Sequence, residues 1–297
     1  MTVVAAIPFF QYLVVIADSR VSYQNIPGEA DDILQKLYPI GNKTFGFRVV
    51  IGFSGPLRGA YEVLEGVRKK ARAYSKPAVA ANLLKDIVRW IQFDYRRVQA
   101  ENRKGLSFLI AAVEPSRDKS VKKPDWIPFI PSFSSLTLKP SDTEPAKLVI
   151  ESRNIIKAIG VSDEEFRDEL KDKMQKYFGL QNKYPEIGMQ MVVDDLMLYF
   201  MQRQDKHNKV GGLFQCANLS VEGVKWLSYG SIGDIVMKFE NGGYVQQNKV
   251  TGKIVPLMTI SEWGKHQPTP GSFGIFENPV YRKLIEKQPG KSKDSGP

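Results

Sequence analysis

Four residues in the first fifth of the chain could together form a nucleophilic site: Thr2, Asp18, Lys36 and Gly55. A threonine at the N-terminus of a mature chain needs no histidine, because its Oγ can attack while its own α-amine accepts the proton. That amine has an ordinary pKa of roughly 8, so a modest downward shift leaves it neutral near pH 7. Removal of Met1 exposes the amine of Thr2.

The other three residues suit the remaining parts of such a site. A lysine cation beside the amine lowers the pKa of that amine by charge repulsion, and an acidic residue can hold the lysine in place. A backbone N–H at a tight glycine turn can bind the oxyanion that forms on a substrate carbonyl. Lys36, Asp18 and Gly55 are the candidates for these three parts.

The composition restricts the alternatives. The chain has 297 residues, of which 42% are hydrophobic and 25% charged, as in an ordinary globular protein with a sizeable core. Two histidines, His207 and His266, and one cysteine, Cys216, are too few for the common zinc sites and exclude an intramolecular disulfide. We therefore expect no metal, no cofactor and a reducing, cytoplasmic compartment. Cys216 is expected in the core, and His207 on the surface.

The first apolar run, residues 3–17, predicts buried strands. No Lys or Arg precedes it, Pro8 and Gln11 interrupt it, and Asp18 follows at once. A secretory leader needs a positive flank before its apolar stretch, and a membrane span needs about 20 apolar residues. The run therefore predicts neither export nor membrane insertion.

The apolar patterns along the chain predict strands, two helices, strands, two helices and strands. The predicted elements are strands at 3–7, 12–17, 33–40 and 44–53, helices at 57–74 and 79–100, a strand at 106–113, short strands within 147–160, helices at 162–178 and 185–204, and strands from 213 onwards. Residues 114–146, rich in Pro, Ser and Lys, predict a long loop. This order predicts two helix layers covering a two-sheet sandwich.

Three segments follow from these patterns. Residues 2–215 are expected to form the core, and residues 216–262 to add further strands that extend the core sheet. Residues 263–297 form a tail rich in Pro and Gly near its start, whose last ten residues are expected to be disordered.

The residues of the nucleophilic site resemble those of proteasome β-type subunits, which belong to the N-terminal-nucleophile hydrolase superfamily. The resemblance lies in Thr2-Val3-Val4, in Ala17-Asp18-Ser19-Arg20, in Lys36 and in Gly52-Phe53-Ser54-Gly55. The step of sixteen residues from Thr2 to Asp18 is also the family's step from nucleophile to aspartate. The resemblance covers about residues 2–215. Within the family, the chain is most similar in style to the bacterial proteasome-like proteases.

This resemblance implies an α+β fold, the four-layer αββα sandwich, here with a β-rich C-terminal extension. It implies that Thr2, Asp18 and Lys36 are catalytic and that Gly55 binds the oxyanion. It gives further roles to residues at matching positions: support of the site to Arg20, Ser162 and Asp205, and lining of the substrate pocket to Val21 and Phe53.

Two of the supporting positions depart from the family pattern. The family has a Ser after the Gly that precedes its third helix, whereas this chain has Val161 there and Ser162 one position later. The family also places Asp-x-x-Ser directly before a Gly-Gly pair. Here Asp205 and Asn208 keep that spacing but lie further ahead of Gly211.

Three hypotheses on function follow. The first is a threonine peptidase that cleaves unfolded polypeptide inside a homo-oligomeric ring, with an ATP-dependent unfoldase as a further partner. The second is a catalytically silent subunit of the same fold with a structural role. The third, a basic nucleic-acid-binding module, is suggested by the net charge of +10. It is the least favoured, because the sequence has no zinc-finger, RNP or helix-turn-helix motif.

Overall fold

A computed structural model describes residues 3–9, 12–22, 30–32, 34–41, 48–74, 80–114, 132–151, 157–160, 168, 172, 214–220, 223–226, 229–232, 235–240, 243–248, 250–252, 254–256, 259 and 261. The elements in the first half are β1 (Val4–Phe9), β2 (Tyr12–Asp18), β3 (Arg20–Ser22), β4 (Ala30–Asp32), β5 (Leu37–Ile40), β6 (Arg48–Ser54), α1 (Leu57–Arg72), α2 (Ala80–Arg97), α3 (Ala100–Arg103), β7 (Ser107–Glu114) and β8 (Ser132–Pro140). They are followed by β9 (Leu148–Glu151), β10 (Lys157–Ile159), β11 (Phe214–Ser220), β12 (Gly223–Trp226), β13 (Tyr229–Ile232), β14 (Ile235–Glu240), β15 (Gly243–Asn248) and β16 (Ile254–Pro256).

Two antiparallel five-stranded sheets pack against each other. The first has the order β10-β1-β2-β11-β12 and the second the order β5-β6-β7-β8-β9. Between them lies an apolar cluster that includes Val4 and Val15 from the first sheet and Leu109 from the second. The sheets lie close together at Gly52, where an added Cβ would lie 2.5 Å from Cγ1 of Val4. A side chain at this position would push the two sheets apart.

Two helices, α1 and α2, cover the other face of the second sheet. Apolar residues recur at helical spacing on each helix, such as Val63 and Val67 on α1 and Ile87 and Ile91 on α2. They pack in one buried cluster with strand residues such as Ile110. The described residues therefore form at least three layers, one of helices and two of strands.

The two helices cross closely at Gly66. An added Cβ there would collide with the carboxylate of Asp94, which receives a hydrogen bond from Lys70 Nζ at 2.6 Å. The glycine therefore allows the ion pair to sit at the crossing point. Both helices were predicted from the sequence, and both are confirmed.

The long loop predicted for residues 114–146 is wrong in part, because β8 lies within it. Leu136 and Leu138 alternate with Thr137 on this strand, and Leu138 and Thr137 are buried. The many Ser, Pro and Lys residues around this short alternation hide it in the sequence. The predicted helices at 162–178 and 185–204 lie outside the described residues, apart from residues 168 and 172, which are helical.

The strands after residue 213 divide between two sheets. The expectation is that residues 216–262 extend the core sheet, and β11 and β12 do lie in the first sheet. In contrast, β13–β16 form a four-stranded antiparallel sheet of their own. Ser261, beyond that sheet, contacts Glu65 of α1 and accepts a hydrogen bond from Arg68 Nη1 at 2.6 Å. The tail, 263–297, lies outside the described residues.

Candidate active site

A buried ion pair joins the ends of the two sheets. Lys36, just before β5, donates from Nζ to Oδ1 of Asp18, the last residue of β2, at 2.9 Å. The two side chains are 1% and 0% exposed. Buried charges are tolerated when they are paired and hydrogen-bonded. The pair therefore holds the Lys36 ammonium at the end of β2, and the predicted contact between these residues is confirmed.

The same carboxylate also holds the start of β1. The backbone N–H of Val3 donates to Oδ1 of Asp18 at 3.0 Å, and the N–H of Asp18 donates to the carbonyl of Val3 at 3.2 Å. Lys36 Nζ and the Val3 nitrogen therefore share one acceptor oxygen. This geometry fixes the chain one residue after Thr2 beside a buried cation.

Gln215 of β11 supports the lysine from the first sheet. Its Oε1 accepts hydrogen bonds from the backbone N–H of Lys36 at 2.7 Å and of Leu37 at 3.1 Å. Its Nε2 donates to the carbonyl of Leu34 at 2.8 Å. Sequence reasoning missed this residue, although a glutamine between apolar residues of a buried strand is a signal of a satisfied polar group.

Replacing Gln215 by Ala is expected to lower the free energy of unfolding by about 3 kcal/mol, because buried backbone groups of the segment before β5 lose their partners. Urea denaturation measures this change. The control is Gln99→Ala, since Gln99 is exposed and makes no side-chain cap hydrogen bond to α3. Equal stability of the two variants would contradict the bridging role.

Gly55 forms the turn between β6 and α1. Its φ of 109° is in the region that favours glycine, and an added Cβ would lie 2.7 Å from the carbonyl oxygen of Gly105. Leu37 pairs with Gly52, so Lys36 and Gly55 both leave their strands at the same end of the second sheet. The turn is exposed and precedes a helix with no acidic residue in its first turn. The positive end of that helix suits an oxyanion.

An unfavourable backbone conformation alone costs roughly 1–3 kcal/mol. We expect Gly55→Ala to destabilise the fold by more than this, because the added methyl group also meets the Gly105 backbone. The matched control is Gly252→Ala. Gly252 has a φ of 68°, but among the described residues no atom beyond its chain neighbours lies within 4 Å of an added Cβ. Thermal or urea unfolding of both variants isolates the effect of the close approach, and a smaller loss for Gly55→Ala than for Gly252→Ala would refute it.

The remaining predicted residues are less completely described. Arg20 and Val21 lie in β3, but their side chains fall outside the described part of the chain. Phe53 is 1% exposed and packs in the helix–sheet core, with its ring centroid 6.3 Å from that of Tyr38. Its role in a substrate pocket stays a prediction. The predicted residues that lie wholly outside the described ones are Thr2, Ser162, Asp205 and His207.

Among the solved structures that resemble this chain distantly are two of Anbu and one of HslV. An Anbu (Gly-1) mutant from Hyphomicrobium sp. strain MC1 is 11% identical, with a TM-score of 0.48, over 74% of this chain and 82% of that one. The helical assembly of the Anbu complex from Pseudomonas aeruginosa is 11% identical, with a TM-score of 0.46, over 76% of this chain and 85% of that one. Eukaryotic HslV from Trypanosoma brucei is 14% identical, with a TM-score of 0.41, over 73% of this chain and 99% of that one. Likenesses this distant leave the function to be judged from the geometry of the site.

No family model matches the sequence. No curated protein matches it either.

Three further observations concern features named in the sequence analysis. Within the described ranges, no group of three or more His, Cys, Asp or Glu side chains is placed to hold a metal ion. None of the helices in that part of the chain combines the length and the apolar character that crossing a membrane requires. Cys216 is buried on β11, so its predicted place in the core is confirmed.

Proposed function

We propose that this chain is an N-terminal threonine peptidase of the proteasome type, with Thr2 as the nucleophile. The observation that carries the proposal is the shared carboxylate oxygen of Asp18, which accepts hydrogen bonds from both Lys36 Nζ and the Val3 N–H. A buried lysine held beside the first residues of a chain has an evident chemical use, namely to lower the pKa of an adjacent amine.

Covalent geometry supports a position of Thr2 near this cation. The Cα atoms of adjacent residues are 3.8 Å apart, so Thr2 Cα is at that distance from the Cα of Val3. In the mature chain, the α-amine of Thr2 therefore lies within one residue of the Asp18–Lys36 pair. Asp18 keeps Lys36 charged and oriented, and the charge of Lys36 favours the neutral, basic form of the amine.

The reaction then follows from these groups. The amine takes the proton of Thr2 Oγ as Oγ attacks the substrate carbonyl carbon, and the Gly55 N–H binds the oxyanion. The protonated amine passes its proton to the leaving nitrogen, the peptide bond breaks, and an ester on Thr2 remains. The amine next deprotonates a water molecule, which attacks the ester and releases the second product with Thr2 restored.

The proposal includes the complete four-layer αββα sandwich. Ala5 and Ile7 of β1 and Val14 and Ile16 of β2 alternate with the residues at the sheet–sheet interface, so they face the other side of the first sheet. All four are completely buried. A second layer of helices over this face, as predicted for residues 162–204, supplies the cover that such a face needs.

The setting that we propose is a cytoplasmic homo-oligomer acting on unfolded polypeptide, with an ATP-dependent unfoldase as partner. An extended substrate chain can pair with an exposed strand, whereas a folded domain cannot, so such a cleft selects unfolded chains. Val21 and Phe53 would line an apolar pocket that prefers small or medium apolar side chains.

A peptide vinyl sulfone tests the function directly, because this electrophile forms a stable bond with an activated nucleophile. We expect one adduct per chain, located at Thr2 by peptide mapping, on protein whose intact mass shows that Met1 is absent. The silent-subunit hypothesis predicts no adduct, and it is favoured by Val161 at the position where the family has Ser. Labelling of Thr2 would therefore reject the silent subunit, and its absence from correctly processed protein would reject the peptidase.

A further inference from the structure

The helices α1 and α2 carry more basic side chains than their acidic residues can neutralise. Together they contain nine basic and four acidic residues. Each acidic residue has a basic partner in these helices, and the pairs are Arg58–Glu62, Arg68–Glu65, Arg89–Asp86 and Lys70–Asp94. Nine less four leaves five basic side chains that have no acidic partner among the described residues. All five are exposed, and we call them the basic face: Lys69, Arg72, Lys85, Arg96 and Arg97.

An exposed aromatic ring lies beside these charges on α2. Phe93 is 48% exposed, although Arg97 Cζ lies 4.0 Å and Lys70 Nζ 4.8 Å from its ring centroid. Because an α-helix has 3.6 residues per turn, Lys85, Phe93, Arg96 and Arg97 fall within about a third of the circumference of α2. Lys70 belongs to the basic last turn of α1, so that turn borders the same surface. Much of the ring therefore stays open to solvent among positive charges.

The balance of charge and apolar surface favours nucleic acid over protein as the partner of this face. Phe93 is the one large apolar residue that is exposed among the described side chains of α1 and α2. The core of a protein–protein interface is depleted in charged residues and rich in apolar ones. A nucleic-acid interface is much more positively charged, because its cations replace the counterions of the phosphates. Five unpaired cations around one aromatic ring match the second kind of interface.

We infer that the basic face binds single-stranded nucleic acid, with a base stacked on Phe93. An exposed aromatic ring can stack on a base of a single strand, whereas the bases of a duplex are already stacked on one another. Every base offers a flat face to such a ring, so binding has little sequence preference. This activity goes beyond the proposed peptidase, since it uses the outer surface of the helices and no residue of the candidate active site.

The salt dependence of binding tests the contribution of the basic face. We expect the wild-type chain to raise the fluorescence anisotropy of a labelled oligothymidylate, with an affinity that falls as the salt concentration rises. Lys85→Gln/Arg96→Gln should make the slope of log K against log salt shallower by about 1.4, since each phosphate contact to a single strand contributes about 0.7. The control Lys104→Gln/Lys225→Gln removes two exposed charges outside α1 and α2 and should keep the wild-type slope.

Two substitutions of Phe93 test the stacking. Phe93→Leu keeps an apolar side chain but has no aromatic ring, so we expect it to weaken binding by about fivefold or more. Phe93→Tyr keeps the ring and should bind like the wild type. Both variants should fold, because nearly half of this side chain is exposed, and circular dichroism checks that they do.

Four results would overturn the inference. It is wrong if the wild-type chain does not bind oligothymidylate even at low salt, or if the control variant changes the slope as much as Lys85→Gln/Arg96→Gln does. Equal affinities of Phe93→Leu and the wild type would also reject it. If poly-L-glutamate of similar length competes as well as unlabelled oligothymidylate, the face binds acidic polypeptide instead. Vinyl sulfone labelling of Thr2 is independent of all these results, so the failure of either proposal leaves the other standing.

Discussion

Replacing Thr2 by Ala is expected to abolish peptide hydrolysis, lowering the rate by about 10⁴-fold or more, as for other enzymes that lose their nucleophile. The methyl group of alanine can neither attack a carbonyl nor carry an ester. The free energy of unfolding should stay nearly unchanged, because Val3 keeps both of its hydrogen bonds to Asp18. Hydrolysis of a fluorogenic peptide and urea denaturation measure the two quantities.

The control for this experiment is Thr2→Ser, which keeps a hydroxyl group and should retain part of the activity. Intact mass must accompany every rate, since a chain that retains Met1 has no free amine on Thr2. Hydrolysis at the wild-type rate by Thr2→Ala, or by protein that retains Met1 quantitatively, would show that Thr2 is not the nucleophile.

Lys36→Ala is expected to lower the hydrolysis rate strongly and also to destabilise the protein by about 3–5 kcal/mol, because it leaves the charge of Asp18 buried without its cation. The matched comparison is Lys70→Ala. Lys70 pairs with Asp94, but these side chains are 31% and 12% exposed. The loss there should be about 1 kcal/mol or less, since solvent screens the pair. Similar losses for both variants would contradict the buried character of the Asp18–Lys36 pair.

The double variant Lys36→Met/Asp18→Asn separates catalysis from stability. It removes both charges while keeping side chains of similar size, and such replacements often recover the stability that single changes lose. The rate should stay low, because no cation remains to depress the pKa of the Thr2 amine. A stable double variant with the wild-type rate would restrict Lys36 to a structural role.

The contact between Asp18 and Lys36 could be predicted from the sequence, because an N-terminal nucleophile needs a lysine cation and an acidic residue that holds it in place. The helices α1 and α2 were equally predictable, since each repeats apolar residues at helical spacing over four turns or more. Gln215 could not be predicted in this way. Its partners just before and at the start of β5 are separated from it by 178 to 181 residues, and no local pattern specifies contacts over such separations.

The missed strands have a different cause. β3 and β4 have three residues each, which is too short to show an alternation. The separate sheet of β13–β16 could not be distinguished from an extension of the core sheet, because strand patterns indicate that a strand exists but not which strand it pairs with.

The contact between Gln215 and Lys36 has a consequence for the timing of biosynthesis. The ribosome adds Gln215 to the chain 179 residues after it has added Lys36. At a synthesis rate of roughly 5–20 residues per second, the ribosome needs on the order of ten seconds or more to cover that distance. During this interval, the growing chain has its N-terminus and its lysine but lacks the residue that fixes the lysine backbone. A nascent chain therefore emerges without the assembled site, and the site forms only when more than two thirds of the protein has been made.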